Sequence, residues 1–326
     1  MSEKIKKLLP YALVFLLAII LIIFIVSDVP TFEKSTVAMG TVVTVKVYSR
    51  DAETHVDNII NIINELENEI SRNIDTSAVS ELNKQGTVKS STVANAINAA
   101  DRLSRKSEGR FDVTVGEISS LWDFNGDPKV PKYSDISDAL TAVGYKNVTV
   151  NGDTVSISDG QTVDLGALGK GYACDKVMEY LKNSNVKGAV VSVGGSILLY
   201  GERDGKDEWN VAVKNSTADD SFAGVVTTKE AFVSTSGDYE LCFEEDGKKY
   251  HHILDATTGY PAESDLSSVT VVCDNGMDSD ILSTVCFILG GEKGEALIKD
   301  EGAMAVFIYS DGSIKTVGDI AFKEQR

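Results

Sequence analysis

The chain has 326 residues, of which 43% are hydrophobic, and its 49 acidic and 31 basic residues give a formal net charge of −18 at pH 7. This length allows one large domain or two small ones. So large a negative charge argues against nucleic acid as a partner, because the phosphates would be repelled, and an anionic ligand would need local help from a cation.

The N-terminal segment has the pattern of a membrane anchor. Residues 8–27 form an uncharged run of roughly 20 residues, the length that a bilayer core requires. Lys4, Lys6 and Lys7 precede this run, and the positive-inside rule then places the N-terminus in the cytoplasm and the remainder outside. A cleaved signal peptide is the alternative, although its apolar core is usually shorter. We expect an uncleaved single-pass anchor in the cell membrane.

The first half of the remaining chain mixes strand and helix patterns. Residues 39–48 alternate and are rich in β-branched side chains, which predicts a strand. Two amphipathic helices follow, separated by residues 71–83, which are polar and predicted to be irregular, and the second helix ends near Gly109. The apolar faces of these helices comprise Val56, Ile59, Ile60, Ile63, Leu66 and Ile70, and then Val93, Ala96, Ile97, Ala100 and Leu103.

The second half adds strands, hairpins and further helices. Asn151-Gly152 predicts the turn of a hairpin. Because hairpins alternate with helices without a strict βαβ order, the pattern favours an α+β fold with mixed or antiparallel sheets and helices packed against them. The predicted helices are residues 134–143, 278–289 and 292–299. The predicted hairpins are residues 148–157 and residues 303–309 with 314–317. The other predicted strands are residues 189–193, which resume after Gly194-Gly195 up to Tyr200, and residues 209–213, 224–228, 240–243 and 267–273.

Residues 163–175, with the sequence Val-Asp-Leu-Gly-Ala-Leu-Gly-Lys-Gly-Tyr-Ala-Cys-Asp, combine three glycines and a lysine at the start of a predicted helix. Glycines allow close approach of the backbone, and a helix start presents free N–H groups to anions. The spacing is not that of a P-loop, and no Ser or Thr follows Lys170. A plain glycine-rich turn between a strand and a helix is the alternative interpretation.

Three more polar clusters interrupt apolar segments, at residues 234–239, 250–255 and 280–284. Asp280 and Thr284 are four residues apart on a predicted helix and share one face. A carboxylate and a hydroxyl, without thiol or imidazole, suit Mg²⁺, although Asp280 could equally be a charge at a helix start. The scattered cysteines, which we expect to be buried free thiols, argue against a zinc site; they are Cys174, Cys242, Cys273 and Cys286.

In this order, the clusters resemble those of the FAD:protein FMN transferase (ApbE) family. The resemblance begins at Met39-Gly40-Thr41 and extends to the last predicted hairpin. It implies an ApbE-like fold related to the T-fold, so that residues 1–30 would be a cytoplasmic stub and transmembrane helix and residues 31–326 the catalytic domain. The segments that carry it are residues 109–116, Leu121-Trp122, residues 163–175, Val193-Gly194-Gly195, residues 235–239, residues 252–259 and residues 280–284.

The resemblance implies an enzyme that uses Mg²⁺ to cleave FAD, passes FMN to a threonine or serine hydroxyl of an acceptor protein and releases AMP. By position, Mg²⁺ would be bound by the carbonyl of Ala167 and the side chains of Asp280 and Thr284. His252 and Lys170 would be the catalytic residues. The FAD contacts would be Met39, Asn73, Arg110, Phe111, Asp112, Asp164, Lys170 and Leu254, with Phe111 or Met39 offering an apolar face to a ring.

Two positions depart from the family pattern. Asn73 stands where many members have a tyrosine that would shield a ring, and Asp255 is followed by Ala256 in place of the common proline. The first departure keeps two alternatives open, an FAD pyrophosphatase that yields FMN and AMP and a non-catalytic flavin-binding surface protein. The expected acceptor is an extracytoplasmic protein, of the kind found as membrane-associated electron-transfer subunits.

Overall fold

The computed structural model describes residues 29–203, 205–215 and 221–325. Within those ranges, no helix combines the length and the apolar character needed to cross a membrane. The predicted anchor, residues 8–27, lies outside the described residues.

A central sheet of eight strands organises the molecule, in the order β1-β2-β6-β7-β10-β15-β16-β17, with every pair antiparallel. Val43, Val45 and Val47 show the period of two that places one face of β2 in the core. The strands of this sheet are β1 (Thr31–Ala38), β2 (Thr41–Tyr48), β6 (Gly188–Val193), β7 (Ser196–Gly201), β10 (Ala231–Gly237), β15 (Leu266–Cys273), β16 (Met304–Tyr309) and β17 (Ile314–Val317).

Helices cover one face of the central sheet. The two predicted amphipathic helices are confirmed, and their apolar faces enter the main core. The described helices are α1 (Ala52–Ile70), α2 (Ala78–Gln85), α3 (Ser91–Lys106), α4 (Gly116–Trp122), α5 (Tyr133–Leu140), α6 (Gly169–Lys182), α7 (Gly276–Leu289) and α8 (Gly291–Asp300).

A three-stranded antiparallel sheet covers part of the opposite face. Its order is β18-β9-β8, and a second apolar cluster, which includes Trp209, Val226 and Val233, fills the space between the two sheets. The α+β prediction is confirmed. The remaining strands are β3 (Thr87–Lys89), β4 (Thr149–Asn151), β5 (Thr154–Ser156), β8 (Trp209–Lys214), β9 (Phe222–Thr228), β11 (Cys242–Glu245), β12 (Lys248–His251), β13 (Leu254–Asp255), β14 (Tyr260–Pro261) and β18 (Ala321–Glu324).

A smaller aromatic cluster forms at one end of the molecule around α4 and α5. The indole of Trp122 is fully buried, stacks on Phe124 with ring centroids 5.6 Å apart and donates a hydrogen bond of 2.8 Å to the carbonyl of Gly259. Phe243, Tyr250 and other apolar side chains complete the cluster. This packing fixes the segment after His252 against the body of the protein.

The structure corrects several sequence predictions. The segment 71–83, predicted to be irregular, includes α2, which Ser77 caps and which ends before Gly86 in a left-handed conformation. Strands β1, β10 and β18 are among those that the sequence did not predict, and the two strand segments predicted on either side of Gly194-Gly195 form the hairpin β6–β7. Not every thiol is buried, because Cys242 is exposed.

Candidate active site

Two glycines bring α6 and α7 into direct contact. A Cβ atom on Gly171 would lie 2.0 Å from the carbonyl oxygen of Gly276, and one on Gly276 would lie 2.2 Å from that of Gly171. The Asp175 carboxylate accepts hydrogen bonds from the N–H groups of Gly276 and Met277, which caps α7 at this crossing. Burial raises the pKa of Asp175 to about 6. The glycines and this aspartate therefore fix the position of α7 against α6.

The crossing places Asp280 beside the start of α6. This carboxylate is 3% exposed, and its Oδ2 atom accepts a 2.9 Å hydrogen bond from the N–H of Gly171. The Oδ1 atom accepts a hydrogen bond of 3.0 Å from the hydroxyl of Ser196 and lies 3.7 Å from Nζ of Lys170. A buried carboxylate needs such partners, and here they include one cation.

The start of α6 leaves backbone groups without helical partners. The N–H of Gly171, in the first turn of the helix, is one of the donors that have no intrahelical acceptor, and it donates to Asp280 instead. Among the described residues, no hydrogen bond reaches the Ala167 carbonyl. The Thr284 hydroxyl lies one turn after Asp280, donates to its carbonyl at 3.2 Å and lies 3.1 Å from the hydroxyl of Ser236.

These groups fit a magnesium ion. A carboxylate, a hydroxyl and an unpaired carbonyl are hard oxygen donors, and Mg²⁺ binds few protein ligands because it keeps several waters and substrate phosphates. The described residues contain no cluster of three or more His, Cys, Asp and Glu side chains that could hold a metal. The candidate ligands would not form such a cluster, because only one of them, Asp280, is among these four residue types.

Strand β10 packs against α7 through paired hydroxyl groups. Ser234 lies 2.7 Å from Ser279, and Ser236 lies 2.8 Å from Ser283, measured between hydroxyl oxygens. These pairs explain why serines can lie in this strand of the core, because each hydroxyl has a hydrogen-bond partner on α7. They also hold Thr284, through Ser236, at the end of β10.

His252 lies near Lys170 at the same end of the sheet. Its Nδ1 donates a hydrogen bond of 3.1 Å to the carbonyl of Glu240. Burial, and then the charge of Lys170, lower the pKa of His252 to about 4, so the ring is neutral at pH 7. Because Nδ1 carries the proton, Nε2 has a free lone pair. The neighbouring His251 is buried, as expected for a pair of histidines with one ring inside.

Glu240 is a second titratable group in this region. Burial raises the pKa of its carboxyl, the charges of Lys170 and Lys214 oppose that shift, and Asp280 adds to it. Lys170 is therefore a positive charge shared by its neighbours Asp280, Glu240 and His252.

The segment 109–116 is fixed by its own polar side chains. Arg110 forms an ion pair with Asp255, with Nε 2.7 Å from Oδ2, and accepts a hydrogen bond from the N–H of Ala256 at its carbonyl. Asp112 is buried, and its two oxygens accept hydrogen bonds from Thr114 and from the N–H of Tyr145. Burial raises the pKa of Asp112.

The ring of Phe111 is not available for stacking. Only 4% of the residue is exposed, and it packs in the main core. In this conformation the ring is packed inside the protein, and the suggested contact with a flavin or adenine ring stays a prediction. The predicted contacts of Phe111 and Asp112 with FAD stay predictions, and they would have to involve the backbone or require rearrangement.

Arg72 connects three segments that contain predicted FAD contacts. Its Nη1 donates to the carbonyl of Gly116 at 2.6 Å and to the hydroxyl of Ser120 at 2.9 Å, while Nε lies 3.2 Å from Oδ2 of Asp164. The adjacent Asn73 is exposed. Asp164 also accepts a hydrogen bond from the N–H of Gly166, which forms the turn before α6.

Met39 occupies a strained position beside α6. It has a φ of +52° in the two-residue turn between β1 and β2, where glycine or asparagine is usual. Its Cε atom lies 3.3 Å from the place where a Cβ on Gly169 would be. Leu254, in contrast, packs at the edge of the aromatic cluster.

We name two sets of predicted site residues after the ligands predicted for them. The metal end comprises Ala167, Lys170, Asp280 and Thr284, with His252 close to Lys170. We call Met39, Asn73, Asp164, Leu254 and segment 109–116 the flavin end. The sequence did not single out three residues that hold these ends, namely Arg72, Ser196 and Glu240. Arg72 could have been found as a charged residue within a polar segment. Asp255 was recognised as part of a polar cluster, but its ion pair with Arg110 was not predicted.

Comparison with known proteins identifies the family of the chain. The model of the ApbE family matches residues 39–308. The chain belongs to the ApbE family. An FAD:protein FMN transferase of Klebsiella pneumoniae strain 342 is 33% identical over 299 residues, which cover 88% of this chain and 92% of the relative. The relative of the same name from Treponema pallidum strain Nichols is 32% identical over 321 residues, 90% of this chain and 89% of that one.

Solved structures of ApbE proteins have the same fold. The ApbE protein of Thermotoga maritima superposes with a TM-score of 0.82 at 31% identity, over 88% of this chain and 97% of that one. The flavin transferase ApbE of Vibrio cholerae gives a TM-score of 0.78 at 29% identity, over 88% and 96% of the two chains. The predicted family membership and ApbE-like fold are confirmed.

Proposed function

We propose that this ApbE protein is a flavin transferase that uses Mg²⁺ to move FMN from FAD to a threonine or serine hydroxyl of an acceptor protein, with release of AMP. Flavin transfer from FAD to protein is the activity for which its curated relatives are named. The observation that carries the finer proposal is the buried Asp280, which lies beside Lys170 and one helical turn before Thr284. The Ala167 carbonyl, just before α6, has no hydrogen-bond partner among the described residues.

The reaction exchanges a phosphoanhydride bond of FAD for a phosphoester bond to the acceptor and involves no oxidation. The acceptor oxygen attacks the FMN phosphorus, the bridging bond to the AMP phosphate breaks, and the hydroxyl proton passes to a base. His252 is suited to accept that proton, because it is neutral at pH 7 and its Nε2 has a free lone pair. The negative charge of bound FAD would raise its low pKa and make it a better base.

Other residues of this chain would position the substrate. Mg²⁺ bound by Ala167, Asp280 and Thr284 would neutralise charge on the pyrophosphate and on the departing AMP. Lys170 supplies a positive charge beside that position. Arg72 and Arg110 hold the loops of the flavin end, through Asp164 and Asp255 respectively.

The decisive experiment measures AMP and acceptor mass together. The full-length protein is mixed with FAD and Mg²⁺, with or without the flavin-accepting domain of a membrane-associated electron-transfer subunit, and the reactions are repeated after chelation. The proposal expects release of AMP that requires acceptor and Mg²⁺, together with an acceptor that gains the mass of one FMN. An acceptor without added mass while FAD is consumed would contradict transfer.

Hydrolysis of FAD to FMN and AMP is a second candidate, because the Asn73 side chain is exposed and cannot shield a ring as a tyrosine could. It predicts release of AMP without acceptor. Asn73→Tyr should then lower AMP release without acceptor severalfold and leave transfer to the acceptor intact. Equal AMP release by the two proteins would argue that Asn73 has no part in the choice between water and hydroxyl.

We further propose that residues 31–326 form the catalytic domain, which residues 8–27 anchor at the extracytoplasmic face of the cell membrane, beside a membrane-associated acceptor. The exposed thiol of Cys242 offers a test. A maleimide that does not cross membranes should label Cys242 in intact spheroplasts, and the label should be lost in Cys242→Ser. Labelling that appears only after lysis would place the domain in the cytoplasm.

A further inference from the structure

We infer that Lys170 is an exchangeable counter-ion of Asp280, which makes cation binding at this carboxylate weak until the pyrophosphate of FAD provides Lys170 with another partner. This inference rests on the proposed function, because it concerns the same metal end.

The contacts of Lys170 support this role. Its ammonium lies 3.7 Å from Oδ1 of Asp280 and 3.4 Å from the carbonyl oxygen of Gly166. The Lys170 side chain is 28% exposed and the Asp280 side chain 4%, so the lysine can move toward solvent while the carboxylate is held by Gly171 and Ser196. The pair therefore has one fixed member and one movable member.

The charges around Lys170 define where it can go. Glu240 and His252 both experience its charge, so the ammonium lies near the candidate base as well as near the candidate metal ligand. A divalent cation bound to Asp280 would repel this ammonium, and it would also replace the lysine as the partner of the carboxylate. Both effects weaken cation binding, and repulsion between charges a few ångströms apart weakens it by at least about tenfold even when water screens them.

A bound pyrophosphate would reverse this penalty. Its negative charges would pair with the displaced ammonium as well as with the cation, so FAD and cation should each strengthen the binding of the other. Such coupling is reciprocal for any two ligands of one protein. The consequence for this enzyme is that the metal end would be completed mainly when substrate is present.

The test is a titration with Mn²⁺, which prefers the same oxygen ligands as Mg²⁺ and whose free form is measured by electron paramagnetic resonance. Full-length protein, freed of metal by chelation, is titrated without FAD as wild type, Lys170→Gln, Lys176→Gln and Asp280→Ala. Lys176 is the matched control, because it lies on the same helix and pairs with Glu179. The thermal midpoint of each protein is recorded with and without Mn²⁺.

The inference expects Lys170→Gln to bind Mn²⁺ about tenfold more tightly than wild type, Lys176→Gln to match wild type, and Asp280→Ala to lose this site. Metal-free Lys170→Gln should also melt below wild type and recover at saturating Mn²⁺, whereas a lysine with only a structural role would leave a deficit in both conditions.

Two other outcomes are informative in different ways. If wild type binds Mn²⁺ through Asp280 and Lys170→Gln binds it equally or more weakly, the counter-ion role is wrong and the proposed metal site stands. If no Mn²⁺ binding in wild type or Lys170→Gln depends on Asp280, the metal part of the proposed function fails, and the inference fails with it.

Discussion

The metal end and the flavin end of the candidate site are constructed differently. At the metal end, two helices touch through glycine backbones, and buried hydrogen bonds fix Asp280 and Thr284. At the flavin end, loops are held by the ion pairs Arg72–Asp164 and Arg110–Asp255, and several side chains are partly exposed. The difference indicates that changes at the metal end should affect stability and chemistry together, whereas changes at the flavin end should mainly affect substrate affinity.

The largest effect is expected from His252, which borders the metal end. His252→Gln removes the proton acceptor, so kcat for transfer should fall by about 10²-fold or more with FAD affinity almost unchanged. His55→Gln is a matched control, since that ring bonds Tyr180 and Asn185 instead. A kcat of His252→Gln within threefold of wild type would exclude His252 as the base.

The glycine contact provides the clearest test of rigidity. In Gly171→Ala the new Cβ would meet the backbone of Gly276, so α6 and α7 must separate, and the free energy of unfolding should fall by about 3 kcal/mol. In Gly169→Ala, two residues earlier, the new Cβ meets only the flexible ends of Ile70 and Met39, and the loss should be under about 1 kcal/mol. Equal losses in chemical denaturation would show that the crossing is not constrained.

The depressed pKa of His252 makes stability depend on pH. The native pKa, about 4, lies below the ordinary value of 6.5, so the unfolded chain binds the proton first, and stability present above pH 6.5 is lost as pH falls toward 4. Between pH 7.5 and pH 5 the loss should be about 1–2 kcal/mol greater in wild type than in His252→Gln. Parallel pH profiles would contradict the buried, neutral imidazole. The groups that face this ring are Lys170, Glu240 and His251.

The smallest of these effects is expected at the flavin end. Arg72→Met breaks the contacts with Gly116, Ser120 and Asp164, so the KM for FAD should rise about tenfold while kcat changes little. Arg105→Met, which removes a surface pair with Asp101, should leave both constants unchanged. A fall in kcat without a change in KM would show that Arg72 contributes to the chemical step and does not position the substrate.

Local sequence patterns predicted many of the helices and strands. They failed for elements whose formation depends on contacts with distant segments of the chain. The long helices α1 and α3 follow from their apolar periodicity. Helix α2 was missed because its two buried apolar residues, Val79 and Leu82, lie within a polar segment. Strand β10 was missed because its serines are satisfied by hydroxyl groups of α7, which the sequence cannot place beside it.

The same limit applies to the candidate site. The resemblance to the ApbE family brought Lys170, Asp280 and Thr284 into one hypothesis, and the structure places Lys170 and Thr284 beside Asp280. The sequence does not show which polar side chains are already paired within the protein. Asp112, predicted to contact FAD, is one of them, because both of its oxygens have partners within the protein. Arg72 was missed because its three partners are distant in sequence.

The central claim is that a cation held at Asp280 is required for FAD cleavage, and it is tested most directly by titrating Mg²⁺ while AMP release is measured in the presence of acceptor. Wild type should show saturable dependence on Mg²⁺ and lose activity on chelation. Asp280→Ala should release AMP at less than about one hundredth of the wild-type rate at every Mg²⁺ concentration. An Asp280→Ala protein that retains the wild-type rate and Mg²⁺ dependence would contradict the claim.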